Sequence, residues 1–222
     1  MIKAIIFDMD DTLYEEQQFV MSGFRAVSEH LAAKYNLDCS NIFKILKHDF
    51  ENGIRKKNFN ILLKKLKLNE SLDHLIRIYR EHIPKISLCP DAEQILKIYK
   101  GKLKLGLLTD GHIKTQNNKI NSLDIRKYFD VIVINDITKG VSKANKEVFV
   151  KTLSMLKIKS ENTLFIGDNP LKDFIGASQA GIISIRINRG SGEYDKLVGD
   201  QADFTISTLL DIPKIIEKIT ER

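Results

Sequence analysis

The stretch Ile5 to Leu13, IIFDMDDTL, sets an apolar, β-type run directly against three carboxylates, Asp8, Asp10 and Asp11, within four residues. Residues i and i+2 of an extended chain point the same way, so Asp8 and Asp10 leave the end of this strand together and Met9 points away. Two carboxylates about 5 Å apart at an effective dielectric near 20 repel by roughly 3 kcal/mol. Such a pair either ends a turn in open water or is built to receive positive charge. The rest of the chain decides which.

Working outward, runs rich in Ile, Val and Leu recur at 3–8, 103–109, 130–135, 162–167 and 182–187, with a weaker one at 203–207. Helical spacing fills the gaps at 91–100, 112–121, 145–156 and 170–180, and closes the chain at 208–220. Near-continuous apolar strands alternating with helices predict an α/β fold, a doubly wound and mainly parallel sheet covered on both faces. Such sheets hold ligands outside the carboxyl ends of their strands. Those ends are polar here: Thr109, Asp110 and Gly111 close LKLGLLTDG, and Asp168 closes the strand in TLFIGDNPLKD, with Asp173 a turn further on. Lys143, in GVSKANKEVF, follows the 130–135 strand. A hard divalent cation resolves the crowding of these acids, and Mg²⁺ suits a site of few carboxylates because it keeps waters and shares its shell with phosphate.

One segment breaks the alternation. From 15 to 85 only helical spacing is found, carried by Phe19, Phe24, Val27 and Leu31, then Ile61, Leu62, Leu66 and Leu68, then Leu72, Leu75, Ile76 and Tyr79. The predicted division is an α/β core of 1–14 and 86–222 with a helical domain, 15–85, inserted after the first strand. Between 41 and 90 there are eleven Lys and Arg against five Asp and Glu, a surplus of six that equals the whole net charge of +6. This basic surface is either a solvated helical face or a means of attracting an anionic substrate.

The 222 residues contain 43% hydrophobic residues and no apolar run near the roughly 20 needed to span a bilayer, so a cytoplasmic protein without membrane contact is expected. Cys39 and Cys89 have no partner at zinc or redox spacing and are expected to be reduced thiols. No nucleic-acid motif is present, and no specific nucleic-acid partner is expected. His112 reads as a surface residue at a helix start, and NRGSGEY, 188–194, as a mobile loop without the ending of a nucleotide-binding P-loop.

DMDDT at 8–12, Thr109, Lys143 and GDNPLKD at 167–173 occur in the order of the four motifs of the haloacid dehalogenase-like (HAD) hydrolases, and the chain resembles that family. The resemblance implies a Rossmann-like core, and likens the helical insert to the cap domain of the C1 type, closing over the site. It implies that Asp8 is the nucleophile, giving an aspartyl phosphate, and that Asp10 protonates the leaving oxygen and then takes a proton from water. It gives Mg²⁺ to Asp8, the Asp10 carbonyl and Asp168, with Asp173 acting directly or through a neighbour. Phosphate contacts fall to Met9, Thr109, Asp110, Gly111 and Lys143, and Lys143 also offsets charge at the nucleophile. An acid at position 10 separates the family's phosphatases from its dehalogenases.

Three departures stand out. Asp11 replaces the commoner Gly, Asp110 the commoner Asn, and Ala144 follows the lysine in place of Pro, so that Lys143 is chosen over Lys139 and Lys146 by alignment. The leading expectation is a Mg²⁺-dependent phosphatase of a small phosphomonoester, a phosphosugar or nucleotide, acting as a monomer or homodimer on a small phosphorylated metabolite. A phosphoryl-transferring mutase and a non-catalytic module binding through the basic insert are the alternatives.

Overall fold

The computed structural model describes residues 1–221 except 141, 191, 193, 195, 196 and 198–201. The chain divides into two compact units, Met1–Glu16 with Ser87–Arg222, and Gln17–Ile86.

The first unit is built on β1 (Ala4–Phe7), β2 (Lys104–Gly111), β3 (Val131–Asp136), β4 (Thr163–Gly167), β5 (Ile183–Ile187) and β6 (Phe204–Ile206). They form one sheet in the order β3-β2-β1-β4-β5-β6, parallel throughout. All four residues of β1 are buried, as expected of a central parallel strand. On one face, Ala4, Ile6, Leu108 and Phe165 pack with Val148, Phe149, Leu153, Phe174 and Ala177. Ile5, Phe7, Leu105 and Leu107 alternate with them and are equally inaccessible, so both faces are covered. Among the described residues, the short β6 pairs with β5 alone, which accounts for its weak sequence signal.

The predicted alternation of strand and helix is observed, with small differences at the ends. The helices of this unit, numbered after the four helices of the other unit, are α5 (Pro90–Tyr99), α6 (Ile113–Ser122), α7 (Lys146–Leu156), α8 (Asp173–Gln179) and α9 (Ile212–Thr220). α8 starts three residues later than its apolar pattern, because 168–172 form the loop that carries the polar strand end. α9 follows a 3₁₀ turn, Leu209–Asp211, whose N-cap Thr208 accepts from Leu210 N–H.

The order of the sheet matters for the site. From β1 the chain proceeds outward to β2 and β3, then crosses back to β4 on the other side of β1 and proceeds outward again. The carboxyl ends of β1 and β4 therefore flank the point where the winding reverses, where an open α/β sheet leaves a crevice.

The second unit contains α1 (Glu16–Tyr35) except its first residue, α2 (Cys39–Glu51), α3 (Asn58–Leu66) and α4 (Leu72–Glu81). Its core joins Phe24, Val27 and Leu31 of α1 to Ile42 and Leu46 of α2, Leu62 of α3 and Leu75 of α4. α2 begins behind Asp38, whose carboxylate accepts from Ser40 N–H at 2.9 Å, and α4 behind Ser71, which caps His74 N–H. Among the described residues, no helix is long and apolar enough to cross a membrane.

Candidate active site

Asp8 follows β1 directly, and its N–H donates to the Ile166 carbonyl of β4 at 2.8 Å, one step beyond the last paired residue. The backbone then turns sharply. Met9 carbonyl accepts from Thr12 N–H at 3.3 Å and Leu13 N–H at 2.9 Å, and Asp11 takes φ +49°, a left-handed conformation that Asp tolerates. The Asp11 carboxylate accepts from Glu16 N–H at 2.8 Å, which closes the turn. Asp8 and Asp10 thus end up with separate counter-charges.

Asp8 belongs to a buried cluster with Asp168 and Asp173, one carboxylate oxygen of each lying within 4.8 Å of the other two. Lys143 is buried with them, its Nζ 2.7 Å from Asp8 and 2.8 Å from Asp173. One ammonium cannot neutralise three carboxylates. Burial, reinforced by Asp173 and Asp10 and opposed by Lys143, pushes the Asp8 carboxyl up to about 8. Burial with Asp173 and Asp8 as neighbours raises Asp168 well above the ordinary carboxylate range. Lys143 is raised as well, because attraction to Asp173 and Asp8 outweighs its burial. Three buried acidic oxygens under this mutual repulsion fit a hard divalent cation. Asp173 stands at the first position of α8 and reaches back to accept from Asn169 N–H at 3.1 Å, whereas the N-cap residue is Lys172 and Asp168 lies before the helix.

Asp10 has a different environment. Its carboxylate accepts from Lys119 Nζ at 2.7 Å, from Gln116 Nε2 at 3.2 Å and from the Tyr14 hydroxyl. These partners, Lys119 foremost, overcome the burial that would raise Asp10 and hold it below the usual range. Tyr14, buried beside that charge, is raised well above its ordinary value and stays protonated. Gln116 also donates to Thr109 Oγ1 at 2.6 Å and to the Asp110 carbonyl at 3.2 Å, so one amide ties the ends of β1 and β2 together. A Cβ on Gly111 would lie 2.8 Å from the Gln116 side chain, so only glycine leaves room for this amide.

The sequence motifs do not include Lys119, Gln116 or Tyr14, although a signal for the first two exists. α6 buries Thr115, Gln116, Lys119 and Ile120, a mostly polar stripe at helical spacing on an element that covers a parallel sheet. A face that should be apolar and is not marks buried polar work.

The Asp110 side chain holds the loop carrying the lysine. Its carboxylate accepts from Asn135 Nδ2 at 3.1 Å and from Lys143 N–H at 3.1 Å. A Cβ on Gly176 would collide with the Lys143 carbonyl, so α8 can approach this loop only through a glycine. The Met9 side chain is fully buried, and any phosphate contact from Met9 falls to its main chain. Arg189 donates to the Thr12 carbonyl at 2.6 and 3.2 Å and to both oxygens of Asp91 at 3.1 Å, fixing the turn behind Asp10. The remainder of the 188–194 loop falls partly outside the described residues, which do not include Ser191 and Glu193. His112 is the N-cap residue of α6, without a side-chain cap bond.

Known proteins resemble this arrangement along nearly the whole chain. The glyceraldehyde 3-phosphate phosphatase of Methanocaldococcus jannaschii is 31% identical over 229 residues, covering 99% of each chain. The pyrimidine 5'-nucleotidase of Escherichia coli is 26% identical, covering 96% of this chain and 97% of its own. The crystal structure of a HAD phosphatase from Thermococcus onnurineus superposes with a TM-score of 0.64 at 25% identity, over 97% of this chain and 98% of the other. The sequence profile described as haloacid dehalogenase-like hydrolase matches residues 5–187, a span that takes in every strand end assembled above. With that match and acids gathered at the winding reversal of a six-stranded parallel sheet, the chain belongs to the haloacid dehalogenase-like hydrolase family.

Proposed function

We propose that this protein is a Mg²⁺-dependent phosphatase that hydrolyses a small phosphomonoester, a phosphosugar or a nucleotide, through an aspartyl phosphate. The observation that carries the reading is the division of the acids into two sets, Asp8, Asp168 and Asp173 around Lys143, and Asp10 apart from them on Lys119, Gln116 and Tyr14. The first set suits a nucleophile beside a metal, the second a proton carrier.

Asp8 attacks phosphorus, the P–O bond to the leaving group breaks, and Asp10 gives that oxygen a proton. Water then attacks the phosphorus of the aspartyl phosphate, the bond to Asp8 breaks, and Asp10 takes the water's proton, so that inorganic phosphate leaves and both acids are restored. Lys119 favours the ionised Asp10 that the second step needs. An arriving phosphate dianion pushes Asp10 the other way by like-charge repulsion, toward the acid that the first step needs. Thr109 with main-chain groups of Met9, Asp110 and Gly111 receives the phosphoryl oxygens, and Lys143 offsets charge on Asp8 and the phosphoryl group. Asp8, Asp168 and the Asp10 carbonyl would hold Mg²⁺, with Asp173 as a further ligand or as an orienting neighbour. When bound, that ion supplies the positive charge that lets a carboxylate approach an anionic ester.

Residues 15–85 take the part of the C1-type cap in this reading, the element in which choice of substrate resides. The names of the two enzymes above, one acting on a triose phosphate and one on pyrimidine nucleotides, support the class of small phosphorylated metabolites. Asp8→Asn is expected to abolish hydrolysis of p-nitrophenyl phosphate, and chelation to stop it reversibly. Unchanged turnover in either case overturns the proposal.

A further inference from the structure

A second group of metal-type ligands lies in the helical unit. His30 on α1 meets Glu70, just before α4, and His74 in the first turn of α4. His30 Nε2 is 3.2 Å from Glu70 Oε2, His74 Nδ1 is 3.6 Å from Glu70 Oε1, and the imidazole centroids are 4.8 Å apart. Donors about 2.0–2.1 Å from a tetrahedral zinc ion are separated by about 3.4 Å, and one ligand atom from each of the three residues lies within 4.8 Å of the others, so side-chain shifts of about 1 Å bring them to the spacing of a bound ion. We propose that His30, Glu70 and His74 form a binding site for a zinc-class transition-metal ion, tying α1 to the start of α4 within the helical unit.

The chemistry of the donors supports this. Two imidazoles and one carboxylate are the mixed nitrogen and oxygen set that zinc takes with a water in the fourth position, and imidazole discriminates against magnesium. Glu70 Oε2 accepts a hydrogen bond from Lys34 Nζ at 2.8 Å. It is also oriented by Ser71 N–H, which donates to Oε1 at 3.0 Å. Such second partners fix a ligating carboxylate. The Glu70 side chain is only 4% exposed, while those of His30 and His74 are 26% and 35% exposed, which leaves an entry path for an ion and its water.

Lys34 is the rival, with Nζ 2.8 Å from Glu70 Oε2. Its side chain is 49% exposed, so it can withdraw into solvent when a cation of higher charge arrives. The ammonium end of the pair is solvated, so this competition lowers affinity without closing the site.

The test uses the full chain carrying Asp168→Asn, which blanks the acidic site, after removal of metal by dialysis. Zn²⁺ alone is titrated by calorimetry, and Co²⁺ is followed by its visible absorption. One equivalent of Zn²⁺ is expected, with His30→Gln and His74→Gln each weakening it by at least about tenfold. Lys34→Met is expected to tighten it about threefold, which a purely structural ion-pair cluster would not show. In the chain with native histidines, imidazole ¹⁵N resonances of His30 and His74 shift with Zn²⁺ while those of His48, His82 and His112 stay. No Zn²⁺ binding at about 100 μM, binding indifferent to His30→Gln and His74→Gln, or resonances that move at other histidines would overturn the proposal.

Discussion

Replacing Asp168 by Asn should make the metal-free protein more stable while removing its activity. The reason lies in the distances. Asp168 has two carboxylate neighbours, Asp8 and Asp173, with oxygens within 4.8 Å, and a full pair of charges at that separation repels by about 3.5 kcal/mol at an effective dielectric of 20. A carboxylate can escape by taking up a proton, at a cost of about 1.4 kcal/mol per pH unit above its ordinary value, which caps the penalty near 4 kcal/mol at pH 7. Sharing Lys143 with the cluster reduces it further, and about 2 kcal/mol remains for an uncharged isostere to recover. For a chain of this size that corresponds to a rise of roughly 4–8 °C in melting temperature.

The assay is thermal denaturation at pH 7 in chelator and again in millimolar Mg²⁺. In chelator the variant should melt above the parent. Added Mg²⁺ should raise the parent more than the variant, because an ion that binds only the folded state stabilises it by mass action. The pH dependence has a definite sign. Asp8 and Asp168 have raised folded values, so between about pH 4 and 8 the folded chain holds protons that the unfolded chain has lost, and stability falls as pH rises. Asp168→Asn should flatten that slope. An Asn variant that melts below the parent in chelator, with the slope unchanged, refutes the electrostatic reasoning.

Two further outcomes follow from the neighbours of the acids. Lys119→Met removes the cation that keeps Asp10 ionised, so the acidic limb of the rate profile for p-nitrophenyl phosphate should move to higher pH; an unmoved limb would separate Lys119 from proton transfer. Gly176→Ala would force α8 away from the Lys143 carbonyl, and a loss of about 1–3 kcal/mol is expected in denaturant unfolding together with reduced turnover, an unchanged enzyme showing that the close approach is unimportant.

The Ile5–Leu13 stretch and the four strand ends carried much of this protein legibly, because a buried parallel strand must be apolar throughout and its polar residues are confined to the edge where ligands bind. Periodicity also marks the insert as helical, and the structure separates out within it α2, whose Ile42 and Leu46 join the core. The pairing of charges was not legible. Asp8 and Asp10 are two residues apart and look equivalent, yet the turn at Asp11 sends one to Lys143 and the other to Lys119, which are more than a hundred residues away in the chain.

The sequence by itself determined the alternation of strands and helices, the acids and the order in which they occur, since these follow from side-chain polarity along a chain with fixed periods. Only the tertiary structure decided which cation faces which acid, and that Gln116, Gly111 and Asp110 brace the site. Those contacts depend on sheet order and helix approach, and nothing local in the chain encodes a distance between residues that meet only after the sheet is wound.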